Sequence, residues 1–310
     1  MSFRVAVPAA GLAVLLAACG NGGAAPAPAT SRSTASQSAG ASTVITRAAQ
    51  AASPARPAAR PGPPAHTVIV LEENHGYGDV IGSPQAPYLN QLARRGALFT
   101  DSHAITHPSE PNYLALFSGS TQGVTDDSCP HRFTAPNLAA ELIAAGRTFA
   151  GYAEDLPAAG APVCSAGEYA RKHVPWTNFS NVPAADSQPF GSFPAGHYSR
   201  LPTVSFVIPN LCDDMHDCPV ASGDSWLRAH LSGYASWAMT HHSLLIITWD
   251  ENDGSPGNQI PTIVAGQPVR SGRYAEPITH YSVLRTLEDL YRLPLTGHAA
   301  TAPLITGMWK

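Results

Sequence analysis

Short runs of β-branched and aliphatic residues alternate along the chain with longer segments whose apolar residues recur every three or four positions. The first pattern is typical of strands buried on both faces, and the second of amphipathic helices. Strands are predicted at residues 67–71, 148–152, 204–208, 244–249 and 262–265. Helices are predicted at residues 88–95, 137–146, 225–240 and 281–291. This alternation predicts an α/β fold, with a mostly parallel central sheet covered by helices on both faces.

The first 65 residues do not share this pattern. Residues 1–19 carry Arg4, an apolar stretch and the segment Leu-Ala-Ala-Cys19, which predicts a lipoprotein signal peptide whose lipobox cysteine becomes lipidated. An ordinary signal peptide with an incidental cysteine is the alternative. Residues 20–65 are rich in Ala, Pro and Ser and lack acidic and aromatic residues, so we expect a disordered tether before a domain at 66–310. We therefore expect the protein to be exported and to be held at the cell surface or membrane by its N-terminal lipid alone. A form shed from the membrane is also expected.

The net charge and the number of cysteines restrict the possible partners of the protein and the compartment in which it folds. All 22 acidic residues lie from Glu72 onward, whereas five of the 18 basic residues precede it, which leaves the predicted domain with a net charge of −9. Such a domain lacks the basic surface of a nucleic-acid binder, so no nucleic-acid partner is expected. Four cysteines after Cys19 predict two disulfides in an exported chain. Three pairings are possible, and chain order favours Cys129–Cys164 with Cys212–Cys218.

Acidic residues follow three of the predicted strands. Glu72 and Glu73 come after the first, Asp213 and Asp214 after the strand at 204–208, and Asp250 after the strand at 244–249. Because open α/β sheets build their sites at the carboxyl ends of strands, we expect these groups to meet. Clustered carboxylates repel one another unless a cation lies among them, so a divalent metal site is predicted.

Ser109 stands at the start of a predicted buried helix, within the segment THPSEPNYLALFSG. The position fits a helix cap, and it also places a hydroxyl at the positive end of the helix dipole. A nearby cation would lower the pKa of that hydroxyl and make it a nucleophile. The helix-cap hypothesis and the nucleophile hypothesis therefore predict the same position for the Ser109 hydroxyl.

An ordered set of segments resembles one bacterial family. The segments LEEN, THPSEPNYLALFSG, GVTDD, YARKHVPW, PNLCDDMHDC and ITWDENDGSPG occur in that order. Together they resemble the phosphoesterase family that includes acid phosphatases and phospholipases C, whose fold is similar to that of alkaline phosphatase. The resemblance extends over essentially all of residues 66–310.

The resemblance implies roles for individual residues. Ser109 would be the nucleophile that becomes phosphorylated, near one divalent metal ion. The implied metal ligands are Glu73, Asn74, Ser109, Asp250 and Glu251. Glu251 stands where relatives often carry aspartate, and the Asp-His-Val segment that usually follows is absent, so a second metal ion is not expected. Further catalytic candidates are His173, His216 and His280, and substrate-binding candidates are Asn112, Asp126 and Lys172.

These features together predict metal-dependent hydrolysis of phosphate esters. The compact length favours a phosphomonoesterase of the acid phosphatase type acting on a small phosphate ester, with phospholipase C as the alternative. A cell-surface lipoprotein that binds a ligand without turnover is the alternative of another class. The presence of Ser109, Glu73, Asn74 and Asp250 together argues against it, because a degenerate enzyme should have lost at least one of them. Metal identity and oligomeric state stay open.

Overall fold

The first strand illustrates how the sequence builds the core. A computed structural model describes residues 61–310, and in it all six residues of β1 (Thr67–Glu72) are buried. Alternate side chains of a strand point to opposite faces, so Ile69 and Leu71 enter one apolar core while Val68 and Val70 enter another. The strand is therefore apolar throughout because helices cover both of its faces.

Eight strands form the central sheet, in the order β11-β2-β10-β9-β1-β8-β4-β7. The bounds of the other seven are β2 Ala97–Phe99, β4 Phe149–Ala153, β7 Ser187–Pro189, β8 Val204–Ile208, β9 Leu244–Trp249, β10 Thr262–Gly266 and β11 Gly272–Tyr274. Strand β10 pairs antiparallel with both β9 and β2, and the remaining neighbours are parallel. The prediction of a mostly parallel sheet is confirmed. Two small ladders lie outside it: β3 (Ser102–His103) with β12 (Ile278–Thr279), and β5 (Ser165–Ala166) with β6 (Tyr169–Ala170).

The helices divide between the two faces of the sheet. Helices α3 (Ser109–Ser118), α4 (Leu138–Ala144) and α6 (His280–Tyr291) pack on one core. Helices α2 (Pro87–Arg95) and α5 (Val220–Ala238) pack on the other, and α1 (Tyr77–Val80) is a single turn after β1. Among residues 61–310, no helix has the length and apolar character needed to cross a bilayer.

Most predicted elements lie within one residue of the observed ones, but α5 begins at Val220, five residues before the predicted start. Its first turn contains Ser222 and Gly223, which are poor helix formers and hid the start from the sequence pattern. Gly223 lies so close to Met215 that a Cβ atom there would come within 2.6 Å of the methionine side chain. Close packing against the neighbouring loop therefore explains this glycine.

The ordered chain reaches slightly beyond the predicted domain boundary. The amide of Ala65 donates to the carbonyl of His242 at 2.8 Å, and Pro64 is buried. The His242 ring also contacts the carbonyl of Gly62 at 3.1 Å. The predicted signal peptide, Cys19 and nearly all of the predicted tether lie outside the described residues.

Both predicted disulfides are present. Cys129 is bonded to Cys164 and Cys212 to Cys218, which is the pairing that chain order favoured. The second bridge closes a short loop directly after β8, and this loop contains Asp213, Asp214 and His216.

Candidate active site

The three acidic strand ends meet at one edge of the sheet. Strand β1 lies between β8 and β9 and is parallel to both, so their carboxyl ends are adjacent. Backbone hydrogen bonds join the segments beyond the strands: the Glu73 amide donates to the Asp214 carbonyl at 2.7 Å, and the Asp250 amide donates to the Glu72 carbonyl at 3.0 Å. The sequence prediction that these groups would be brought together is confirmed.

Ser109 is the first residue of α3, and its hydroxyl faces this edge. Pro108 occupies the cap position, and Ser109 is only 2% exposed. Its Oγ donates to Glu73 Oε2 at 3.0 Å, and the same hydroxyl lowers the pKa of the nearby Asp250 and Glu251 carboxyls. The interpretation of Ser109 as a helix cap is therefore wrong, because its oxygen is directed at carboxylates.

Three carboxylates around one hydroxyl create an electrostatic imbalance. A hydroxyl has one proton and can satisfy one acceptor as a donor. Burial, together with the neighbouring Asp250 and Asp214, raises the pKa of Glu73 well above its ordinary value. Burial and Glu251 do the same to the pKa of Asp250, and burial raises the pKa of Glu251 to about 7. The site thus disfavours its own negative charge at neutral pH.

Four buried side-chain oxygens at this edge lack a partner. They are Asn74 Oδ1, Asp250 Oδ2 and both carboxylate oxygens of Glu72, and none has a hydrogen-bond partner within residues 61–310. The backbone amide of Asn74 donates to the other Asp250 oxygen, Oδ1, at 3.2 Å, which holds the Asp250 side chain beside the backbone of residue 74. Buried acceptors without donors, beside mutually repelling carboxylates, are the donor set that a hard divalent cation requires.

A second group with ligand spacing overlaps the first. Glu73, His173 and Asp214 are buried, and each offers an atom close enough to the others to hold an ion. However, His173 already contacts both carboxylates, with Nδ1 3.2 Å from Asp214 Oδ2 and Nε2 3.1 Å from Glu73 Oε1. Near Ser109, Asn74 and Asp250 each keep one oxygen without a partner. Glu73 is common to both groups, and His173 orients it.

The predicted catalytic histidines do not reach Ser109 directly. His173 stacks on Tyr113, and burial lowers its pKa well below the ordinary value. His280 is buried behind the site with Nε2 2.7 Å from the Asp250 carbonyl, and burial lowers its pKa to about 4. His216 contacts Asp217 at 2.7 Å and lies beside the His173 ring. His173 and His280 thus position carboxylate residues, whereas His216 lies one layer further out.

The predicted substrate-binding residues differ in what their side chains contact. Lys172 contacts Asp127 at 3.1 Å; burial opposes its charge, but Asp127, Glu73 and Asp250 outweigh that effect and raise its pKa, so it stays cationic beside the site. The Asn112 side chain binds the backbone around residues 105–108. It also donates to Glu251 at 3.3 Å. These bonds brace the segment before Ser109, and the contact of Asn112 with substrate stays a prediction.

Asp126 is the predicted residue that the structure places elsewhere. It is exposed and accepts hydrogen bonds from Ser128, which lower its pKa. Its neighbour Asp127 instead faces inward, accepting from the Glu110 amide at 3.0 Å and contacting Lys172. The substrate contact predicted for Asp126 stays a prediction, and adjacent residues in a loop carry no periodic signal that would show which of them turns inward.

Sequence reasoning also missed Tyr113 and His107. The Tyr113 hydroxyl donates to Glu73, and its position four residues after Ser109 on one helix was a usable signal that both face the same side. His107 Nδ1 lies 2.8 Å from Glu251 Oε2 on a side chain that is 44% exposed. The sequence placed His107 near the site without ranking it above other histidines.

The mostly parallel sheet and its covering helices define an alkaline-phosphatase-like fold, in which a hydroxyl at a helix start faces carboxylates at strand ends. The solved structures agree on the fold. A protein of the alkaline phosphatase superfamily from Vibrio parahaemolyticus superposes with a TM-score of 0.56 at 15% identity, over 80% of this chain and 72% of that one. The zinc complex of the periplasmic EcEptC domain from Escherichia coli gives 0.54 at 11% identity, over 82% and 91%.

Sequence comparison identifies the family: residues 82–294 match the phosphoesterase family, so the chain belongs to it. It is 59% identical over 247 residues to a phosphatidylinositol-3-phosphatase of Mycobacterium tuberculosis, covering 79% of this chain and 83% of that one. It is 31% identical to a phosphate-repressible acid phosphatase of Penicillium chrysogenum over 67% of this chain, which spans about half (55%) of that relative. The chain is thus an enzyme of the acid phosphatase type that hydrolyses phosphoric esters.

Proposed function

We propose that the chain is a metal-dependent phosphomonoesterase in which Ser109 is phosphorylated during turnover. The observation that carries the proposal is the buried Ser109 hydroxyl, which donates to Glu73 at 3.0 Å and influences the pKa of the nearby Asp250 and Glu251 carboxyls. A hydroxyl that merely filled space would not need three carboxylates around it, because buried charge is costly without a partner.

One divalent cation held by Glu73, Asn74, Asp250 and Glu251 would supply positive charge against the phosphate oxygens and the Ser109 oxygen. The protein's own groups supply the rest. Tyr113 and His173 hold Glu73 from the far side, Asn74 and the His280 ring fix Asp250, and the helix start favours an anion beside Ser109.

In the first step, Ser109 Oγ bonds to phosphorus and loses its proton while the ester oxygen leaves and becomes an alcohol. In the second step, water attacks the phosphoserine, inorganic phosphate leaves and Ser109 recovers its proton. Lys172 adds positive charge near the transferred group, because Asp127 holds it in place and keeps it protonated. The chemistry needs positioning and charge more than a strong base.

The relative from Mycobacterium tuberculosis suggests a substrate class. Its name describes removal of the 3-phosphate from phosphatidylinositol 3-phosphate, and the two chains match over most of their lengths at 59% identity. We therefore propose phosphoinositide headgroups as substrates, in line with a monoesterase rather than a phospholipase C. We also propose export and lipid anchoring at Cys19, which would place the enzyme beside membrane lipids.

The test compares four substrates with and without a chelator: a chromogenic phosphomonoester, the matched diester, dispersed phosphatidylinositol 3-phosphate and phosphatidylcholine. We expect chelator-sensitive hydrolysis of the monoester and of the phosphoinositide. Turnover of phosphatidylcholine alone would support the phospholipase C alternative. Absence of turnover after divalent cations are restored would support a binding protein instead.

A matched pair of variants assigns the role of Ser109. Ser109→Ala should lose at least about a thousandfold in kcat, since removal of a catalytic nucleophile typically costs several orders of magnitude. Ser118→Ala is the control, because Ser118 is also a buried serine of α3 but donates to the Leu114 carbonyl at the other end of the helix. Equal activity in the two variants would refute the assignment.

A further inference from the structure

A cavity of about 610 Å³ lies beside the nucleophile helix and takes no part in the chemistry described above. Its lining residues fall between Pro130 and Ser187 and include His131, Arg132 and Arg171. The disulfide between Cys129 and Cys164 ties together the two loops that form part of its rim, next to Pro130 and Pro162. The cavity is thus preformed and covalently braced.

The lining favours a negatively charged ligand. None of the residues that line this cavity, all within the described part of the chain, is acidic, although the domain as a whole has a net charge of −9. Two arginines and a histidine contribute donors, and Arg132 is exposed. Three lining residues also have a buried donor with no partner within residues 61–310: Arg171 Nε, Trp176 Nε1 and Ser187 Oγ. Donor dipoles that no acceptor balances add to the positive potential of the cavity.

Apolar side chains complete the walls. Trp176, Phe179 and Val182 line the same cavity. Trp176 is fixed in place, because its ring lies against Gly151 of β4 so closely that a Cβ atom there would come within 2.2 Å of it. A ligand with a negative group and a compact uncharged body would therefore match this lining better than a bare inorganic ion.

Glu110 connects the cavity with the nucleophile. It follows Ser109 directly, and its Oε1 accepts from Asn178 Nδ2 at 2.8 Å. Its Oε2 lies 3.5 Å from His131 Nε2, and the Glu110 side chain is 2% exposed. Since Asn178 and His131 both line the cavity, one buried side chain separates it from the start of α3. A ligand in the cavity would therefore lie one buried side chain away from the start of α3.

We propose that this cavity is an anion subsite that binds a phosphate- or carboxylate-bearing small molecule with a compact uncharged body, and that Arg132 is its main accessible contact. The ligand is either the remote acidic part of the substrate itself or a separate free molecule. The proposal rests on the proposed function only for the first of these sources, because a free ligand would bind whether or not Ser109 is the nucleophile.

The test for the first source uses two soluble monoesters that differ by one negative group. Inositol 3-phosphate carries the scissile phosphate alone, and glycerophosphoinositol 3-phosphate adds a phosphodiester. We expect Arg132→Ala to raise KM for the second compound about tenfold or more, since hydrogen bonds to charged groups carry that much affinity. Its kinetics on inositol 3-phosphate and p-nitrophenyl phosphate should stay unchanged. Arg94→Ala, which removes an exposed arginine from α2, is the matched control.

The test for the second source uses glycerophosphoinositol, which has no monoester to cleave. We expect it to bind the full-length wild-type chain in calorimetry and to bind Arg132→Ala and Arg132→Glu at least about tenfold more weakly. Competitive inhibition of p-nitrophenyl phosphate hydrolysis would identify the cavity as part of the substrate site, and non-competitive inhibition would identify a separate ligand.

The proposal is overturned if both Arg132 variants match wild type on every monoester and in calorimetry. It is equally overturned if Arg94→Ala has the same effect as Arg132→Ala, because the effect would then be one of general charge. Failure of the proposed function has a different signature, namely no hydrolysis of any monoester by wild type. The calorimetric comparison still tests the cavity in that case.

Discussion

Removing the proposed divalent cation should destabilise the domain most strongly at alkaline pH. The perturbation is a chelator added at pH 8 and, separately, at pH 5. Buried carboxylates with raised pKa values bind protons more tightly in the folded chain than in the unfolded chain. These carboxylates therefore lower the stability of the folded chain. This loss of stability is absent at a pH below their pKa in the unfolded chain, and it grows as pH rises toward their pKa in the folded chain. A bound cation offsets this repulsion in the ionised state.

The structure sets the scale. The pKa of Glu251 rises from 4.5 to about 7, which corresponds to a loss of up to about 3 kcal/mol of folding free energy at pH 8 relative to pH 4. A cation present at about 100 times its Kd contributes about 2.7 kcal/mol of stability. For a domain of this size, each kcal/mol shifts Tm by about 2–4 °C, so chelation at pH 8 should lower Tm by about 5–10 °C.

The assay is thermal unfolding followed by circular dichroism, with chelator and then with divalent cation restored. We expect a large reversible decrease in Tm at pH 8 and a smaller one at pH 5, where protons compete with the cation. Asp250→Asn is the informative variant, because it removes one repelling charge and one ligand. It should be more stable than the chelated wild type at pH 8 and insensitive to the chelator. An unchanged wild-type Tm at both pH values would refute the electrostatic account.

Three further predictions concern the surroundings of the site. Replacing Cys212 and Cys218 with serine should lower the free energy of unfolding, measured with denaturant, by only about 2 kcal/mol, because the closed loop is short. The same replacement should reduce kcat more than an equally destabilising core variant does. An unchanged kcat would show that the bridge does not shape the site. Asp127→Asn should reduce kcat/KM by weakening the hold on Lys172, whereas Asp126→Asn should not, and equal effects would contradict the placement of the pair. A chain beginning at residue 61 should keep full activity. A chain beginning at Thr67 should unfold at a lower temperature, because it lacks the contacts of Gly62 and Ala65 with His242. Equal unfolding temperatures of the two chains would show that those contacts are dispensable.

The sequence predicted the sheet and the convergence of its strand ends well, because both follow from simple patterns. A fully apolar run such as β1 requires cover on both faces, and parallel neighbours bring the residues after them to one edge. The resemblance added the order of the segments and the special role of Ser109. Periodicity and topology therefore suffice to place Glu73 and Asp250 together.

Side-chain direction outside regular elements could not be predicted in the same way. Asp126 and Asp127 are adjacent in a loop, and only the fold shows which one turns inward. Asn112 has the right chemistry to bind a phosphate, yet the backbone at 105–108 already uses its amide. The catalytic roles of His173 and His280 stay predictions, and the sequence could not show that both rings are buried.

The most direct test of the account is whether phosphate becomes covalently attached to Ser109 during turnover. Wild-type enzyme is mixed with excess phosphomonoester, quenched in acid within the first turnover, digested and analysed by mass spectrometry. The account predicts one phosphoryl group on the peptide that contains Ser109, absent from Ser109→Ala and from enzyme quenched before substrate is added. The account would be contradicted if wild type turned over fully while this peptide stayed unmodified at every quench time, and if Ser109→Ala also kept more than about a tenth of the wild-type rate. Such a rate corresponds to a change in the activation barrier below about 1.4 kcal/mol.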